Sequence, residues 1–197
     1  MIKKFLLLLI FAMNTYSYNQ QNFFGSVGQF YAPTARFNDV GTLSMNVNYS
    51  ENFSRVNFLA QPYDWLEVSL FYADIPSKPF AASLDQSYKD KGFNLKVKLL
   101  DESKHKPELA IGLSDFAGTG LFSGEFFVAS KKINNLDVSV GLGWGIYGGF
   151  YDFKNPFRLL GSEFDNRNEN FDFVGEIDAN DFFRVKKLLF LARFLTF

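Results

Sequence analysis

From Gly41 onward the chain alternates apolar and polar residues with a period of two, and no other feature limits its fold so tightly. A period of two gathers apolar side chains on one side of an extended strand, whereas a helix would scatter them. Leu43, Met45, Val47 and Tyr49 oppose Ser44, Asn46 and Asn48. Val56 and Phe58 oppose Arg55 and Asn57, and Leu66, Val68, Leu70 and Tyr72 oppose Trp65, Glu67, Ser69 and Phe71. A fourth run sets Phe93, Leu95, Val97 and Leu99 against Asn94, Lys96 and Lys98; a fifth sets Leu109, Ile111 and Leu113 against Ala110, Gly112 and Ser114. The sixth places Phe122, Phe126 and Val128 opposite Glu125, Phe127 and Ala129. The seventh places Leu136, Val138, Val140, Leu142, Trp144 and Ile146 opposite Asp137, Ser139, Gly141, Gly143 and Gly145.

The connections sort into two kinds. Pro62–Asp64, Asp101–Pro107 and Ile133–Asn135 read as short turns, with Asn134-Asn135 suited to a tight hairpin. Between them fall two long stretches, Asp74–Lys91 and Gly148–Asp181, expected as loops, and two shorter connections at Ser50–Phe53 and Ala117–Leu121. Short turns at one end and longer loops at the other are the habit of outer-membrane barrels, with the loops outside.

A soluble β-sandwich alternates too, so composition has to separate the two. Aromatic residues make up 19% of the chain, 26 of them Phe, more than a small soluble core uses. The polar faces are rich in Gly, Ser and Asn, as a barrel interior is, and Trp65, Phe71, Phe116, Phe122 and Trp144 collect near strand ends. The expected fold is therefore all-β: an antiparallel transmembrane β-barrel, or part of one, of about seven to eight strands beginning near residue 42. A soluble periplasmic β-sandwich that binds a partner is the alternative. The tail, Phe182–Phe197, reads as an eighth strand ending in an aromatic residue. Arg193 falls on its apolar face, and Val185, Leu188, Leu189, Ala192 and Leu195 fit a helical stripe as well.

The first residues address the chain for export. Lys3 and Lys4 precede an apolar run from Phe5 to Met13, too short to span a bilayer, and Thr15 and Ser17 supply small residues. This reads as a signal peptide over residues 1–17, cleaved, with a single β-barrel-type region over 18–197. The sequence has no cysteine, hence no disulfide and no N-terminal cysteine to carry lipid. Its net charge of -1 offers no basic field for nucleic acid. Outer-membrane lipid is the expected partner.

Catalytic and metal chemistry find little support. His105 is the sole histidine, and it sits in a Lys-flanked turn. Asp165, Glu169, Asp172, Glu176, Asp178 and Asp181 form an acidic stretch without EF-hand spacing. No spacing among Asp85, Asp90, Asp115 and Glu125 selects an acid–base pair. The expectation is a non-enzyme with no catalytic residue, metal or cofactor. The distinctive polar cluster is Gln86, Tyr88, Lys89, Asp90 and Lys91, where a tyrosine face among polar groups suits a sugar ring. Lys96 and Lys98 on the inward face of the following strand extend that path, unless Glu67 and Glu125 neutralise them. These seven residues are the candidate polysaccharide contacts.

Four segments resemble the YjbH family of outer-membrane proteins, linked to exopolysaccharide and capsule operons in Gram-negative bacteria. They are Gln61–Glu67, Asp85–Phe93, Leu113–Phe122 with Glu125–Lys131, and Gly141–Gly145. The Gln86-Ser87-Tyr88-Lys89-Asp90-Lys91-Gly92 and Gly118-Thr119-Gly120-Leu121-Phe122-Ser123 stretches are its most specific parts. The resemblance implies an outer-membrane role in polysaccharide synthesis or export, with the polymer and other proteins of such operons as partners. It supplies no catalytic residue. Members of that family are far longer than this chain and many carry a lipoprotein cysteine, so the chain looks like an N-terminal portion or a short homologue. A small structural or porin-like barrel without a polysaccharide role is the alternative function.

Overall fold

A computed structural model describes residues 20–49, 53–81, 84–116, 119–148, 154–161, 164 and 187–195; for 77–85 and 187–195 the backbone alone is described. The expected signal peptide, the acidic stretch 165–181 and Phe197 lie outside the described residues.

Among the described residues ten strands form in chain order. Two short ones, β1 (Gly28–Gln29) and β2 (Ala32–Pro33), pair with each other ahead of the region where the alternation starts. The rest are β3 (Leu43–Tyr49), β4 (Ser54–Tyr63), β5 (Leu66–Ala81), β6 (Leu84–Leu100), β7 (Glu108–Ser114), β8 (Gly124–Ile133), β9 (Leu136–Trp144) and β10 (Lys187–Leu195). They form one antiparallel sheet in which each strand lies beside its sequence neighbour from β3 to β10, curled into a half-barrel. The all-β antiparallel expectation and its strand count hold. The described residues contain no α-helix, only 3-10 turns at Gly145–Tyr147 and Pro156–Leu159.

The sheet exposes apolar residues on its convex side and buries many polar ones, beside an aromatic cluster, on its concave side. On the convex side Leu43 is 81% exposed, Val47 64% and Phe58 52%. Leu70, Tyr72, Phe93 and Val140 are exposed as well. On the concave side Arg55, Asn57, Gln61, Glu67, Ser69, Asp90, Asn94 and Lys96 are buried. The period of two thus sorts residues as the sequence foretells, with the polar set inside.

Several local expectations are corrected. Asp74–Lys91 is not a loop: β5 and β6 continue through it as a long hairpin, with Asp74 opposite Lys89 and Ile75 opposite Tyr88. Its prolines, which suggest a loop, are absorbed where the register shifts between Ile75 and Pro79, since a bulge tolerates a residue lacking an N–H. In β8 the apolar pair Phe126 and Val128 faces the concave side, opposite Gly112 and Ala110. Gly112 makes the room, because a Cβ there would lie 2.1 Å from the Phe126 ring. Phe122 precedes β8 and folds into the same core. Ile146 leaves β9 in a 3-10 turn opened by Gly145 at φ 63° and packs inward as well. The tail is a strand rather than a helix: Leu189 pairs with Leu142, Leu191 with Val140 and Arg193 with Val138, over the narrower span 187–195.

Candidate functional site

What fills the concave face is the chain's own leading segment, residues 20–37. This stretch has no alternation of its own; it is shaped by Gly25 at φ 91°, Phe30 at φ 49° and the small β1–β2 hairpin. Gly28 is required there, since a Cβ would meet the Ala32 carbonyl at 2.3 Å. The folded segment presents its backbone carbonyls to the wall, and side chains of the wall donate to them. Asn46 Nδ2 reaches the Asn22 carbonyl at 3.0 Å, and Asn48 and Asn57 both reach that of Phe23 at 3.2 Å. Asn94 Nδ2 at 2.8 Å and Arg55 Nη2 at 3.2 Å share the carbonyl of Phe24. The polar residues of β3, β4 and β6 are therefore lining matched to a main chain, which satisfies buried groups on both sides.

Toward the short-turn end the contacts become ionic. Lys96 Nζ lies 2.8 Å from Glu67 Oε2, both side chains fully buried, and also donates to the carbonyls of Arg36 (2.8 Å) and Val27 (3.3 Å). Glu67 in turn accepts from the Ser26 hydroxyl and the Val27 amide. Arg36 then gathers three carboxylates: Glu102 at 2.6 Å, Glu108 at 2.7 Å and Asp137 at 2.7 Å, from the β6–β7 turn, β7 and β9. Burial opposes the Arg36 charge, but its carboxylate partners outweigh it and hold the guanidinium charged. Burial likewise works against the Glu102 carboxylate. Its bonds from Lys131, Arg36 and the Lys132 amide prevail and hold it down to about 2. Lys98 pairs with Asp101 at 3.1 Å and Glu108 at 3.6 Å.

At the opposite end the wall is aromatic around a second charged group. The Arg55 guanidinium lies 3.6 Å from the Phe71 ring centroid and 4.8 Å from that of Phe122, a stacked, desolvated cation. Asp90 and Asp115 neighbour it, both wholly buried. Asp90 Oδ1 accepts from the Thr119 hydroxyl and the Lys91 amide, each at 2.7 Å; Asp115 Oδ2 accepts from the Phe122 amide at 3.0 Å. Asp90 Oδ2, Asp115 Oδ1 and Arg55 Nη1 are buried without a hydrogen-bond partner. Burial first, and then the Asp90 charge, push the Asp115 carboxyl up to about 8.

The seven candidate contact residues do not form one surface. Tyr88 and Asp90 are buried on the concave side, and Gln86 is exposed farther along the hairpin. Lys89 is paired with Asp74 at 2.7 Å, and Lys91 is exposed on the convex side. Lys96 and Lys98 face inward as expected, but against Glu67 and the leading segment rather than an open path. Glu125 does not neutralise them: it faces the convex side, where Asn155 Nδ2 donates to it at 3.0 Å. Around that bond Phe157 and Phe164 pack with Trp144, Phe127 and Leu142, covering part of the convex wall. His105 is exposed in its turn. Among the described residues no three His, Cys, Asp or Glu side chains converge to hold a metal. Residues 20–37 are the part of the concave face that alternation does not reveal. The one sequence signal for them is the set of inward Asn, Arg and Lys donors in later strands.

A curled antiparallel meander, apolar outside and packed inside with its own leading segment, defines the class: a self-plugged half-barrel. The chain belongs to the YjbH family, whose model, described as "Exopolysaccharide biosynthesis protein YbjH", matches residues 20–192. It is 37% identical over 174 residues to the protein named "Uncharacterized lipoprotein YjbH" from Escherichia coli (strain K12). The match covers 86% of this chain and 25% of that relative, so the chain spans about a quarter of the relative's length. No solved structure matches the chain.

Proposed function

We propose that the chain is a non-enzymatic component of exopolysaccharide production or export, seated in the outer membrane with lipid against its convex face. The observation that carries this reading is the exposed apolar wall from Leu43 to Tyr49 on β3, continued by Phe58, Leu70, Tyr72 and Phe93. In water so large an apolar surface costs roughly 25 cal/mol for each Å² left wetted, and in hydrocarbon that cost vanishes. Tyr63 and Trp65 stack at 5.6 Å at the short-turn end, where an aromatic girdle would meet the headgroups. The family description supports the polysaccharide role, and the relative's name as a lipoprotein supports association with a membrane. The filled concave face favours a scaffold over an open porin in this part of the protein. Its partners are lipid, the polymer and other proteins of the same pathway.

The test is cell fractionation with gel mobility before and after heating, alongside polymer yield in a strain lacking the gene. Outer-membrane recovery, heat-modifiable migration and reduced polymer are expected. A stable, detergent-free species in the periplasmic fraction would overturn the membrane reading; unchanged polymer in the strain lacking the gene would overturn the polysaccharide role.

A further inference from the structure

The loop end holds more acid than its cations can neutralise. Asp90 on β6 and Asp115 after β7 are both wholly buried, Asp115 Oδ1 lies over Gly92 two residues along β6 from Asp90, and Arg55 of β4 is the cation acting on both. Tyr88 of β6 interacts with both, while Tyr147 of the 3-10 turn after β9 bonds to Ser114 and interacts with Arg55, Glu67 and Glu125 rather than with the two aspartates. The leading segment contributes the Phe24 ring, and the acid of β8, Glu125, faces the convex side. Two buried carboxylates beside one guanidinium leave an uncompensated negative charge, and a single shared proton removes it.

The same two carboxyls hold the stretch that follows. Asp90 accepts from Thr119, and Asp115 accepts from the Phe122 amide while its own amide donates to Asn94 Oδ1 at 3.0 Å. Phe122 closes over Phe24, Phe53 and Phe71 with centroid separations of 6.4, 5.4 and 5.8 Å. Asp115 also adopts φ 54°, a left-handed conformation that its side-chain bonds help to hold.

We propose that Asp90 and Asp115 form a proton-dependent latch that holds Thr119–Phe122 over the aromatic end of the concave face and releases it when both carboxyls are ionised. Ionisation strengthens the bonds from Thr119 and the Phe122 amide, but the burial of two carboxylates beside one guanidinium and their mutual repulsion outweigh that gain. Arg55, Asp90 and Asp115 each keep one buried polar atom without a partner. The elevated Asp115 carboxyl agrees with this geometry. Release exposes Arg55, Tyr88 and Asp90, so the outermost polar groups of the interior become reachable from the loop end alone.

Hydrogen exchange of the full chain, folded in detergent and read by mass spectrometry at the Phe122 and Ser123 amides, tests the latch from pH 6 to pH 9.5. After correction for intrinsic exchange, protection falls at least ~10-fold across that range in the native chain, the amount expected from one buried ionisation. Asp115→Asn, which cannot ionise, stays flat. Asp90→Asn also stays flat, because Arg55 then balances the single remaining carboxylate. Unchanged protection in the native chain overturns the latch, as does an equal fall in either variant. If Asp115→Asn does not fold, Asp90→Asn decides. The measurement succeeds or fails without reference to where the protein resides, so it stands apart from the membrane test.

Discussion

Replacing Lys96 by Met keeps the length of the side chain and removes its charge from a site 1% exposed. Three interactions go: the ion pair to Glu67 at 2.8 Å and the bonds to the Arg36 and Val27 carbonyls at 2.8 and 3.3 Å. Val27 O keeps its bond from the Thr34 amide, so the Arg36 carbonyl and the Glu67 carboxylate bear most of the loss. Breaking one half of a buried pair typically costs about 3–5 kcal/mol, because the surviving charge is uncompensated. The expected destabilisation is about 4 kcal/mol, a drop of roughly 1000-fold in the folded-to-unfolded ratio. In Lys96→Met with Glu67→Gln the stranded charge is gone while the Ser26 and Val27 donors still find an acceptor. The loss should then shrink to about 1–2 kcal/mol. Urea titration of detergent-folded protein, followed by tryptophan fluorescence, measures both. A single variant within 1 kcal/mol of the native chain, or a double variant no better than the single one, refutes the assignment of Lys96 and Glu67 as the segment's buried anchor.

Other predictions bear on other parts. Val47→Arg places a cation on a residue 64% exposed: about 2–4 kcal/mol lost on folding into lipid is expected, against under about 0.5 kcal/mol at a water-facing site. Folding titrations in lipid vesicles distinguish these. Glu102, held to about 2, contributes stability that is present above its ordinary value near 4.5 and disappears as pH falls toward 2. Arg36→Ala should weaken that acid dependence, read as a shallower loss of stability between pH 4.5 and pH 2. Gly112→Val drives a side chain into the Phe126 ring and should cost about 1–3 kcal/mol by the same urea titration, with larger loss if β7 separates from β8.

Much of the sheet is legible because alternation is local: in β3, β7 and β9, and over Leu66–Tyr72 of β5 and Phe93–Lys98 of β6, each residue's face follows from its parity. The failures arise where distant residues decide. Phe126 and Val128 turn inward because Gly112 and Ala110 stand opposite, information carried by another strand. The prolines of Asp74–Lys91 argue for a loop by themselves, yet the bulge that accommodates them is a property of the β5–β6 pairing. For Lys96 both the inward face and the neutralising Glu67 follow from the sequence; Glu125 does not, nor do the Asp101 and Glu108 partners of Lys98. The backbone that meets Lys96 comes from a segment with no periodicity, and a carbonyl carries no side-chain signature. For Tyr88 and Asp90 the sequence marked a distinctive cluster, while their burial depends on Thr119 and Phe122 folding over them.

The reach of Arg36 has a bearing on how the molecule is assembled. Its carboxylates lie 66, 72 and 101 positions later in the chain, so synthesis delivers the guanidinium long before the acids that balance it. A nascent product that stops short of Asp137 carries an arginine missing part of its ionic cage, and closing that end waits on nearly all the intervening strands. Completion of the β8–β9 hairpin thus becomes a checkpoint: the interior is secured in one late, cooperative step rather than strand by strand.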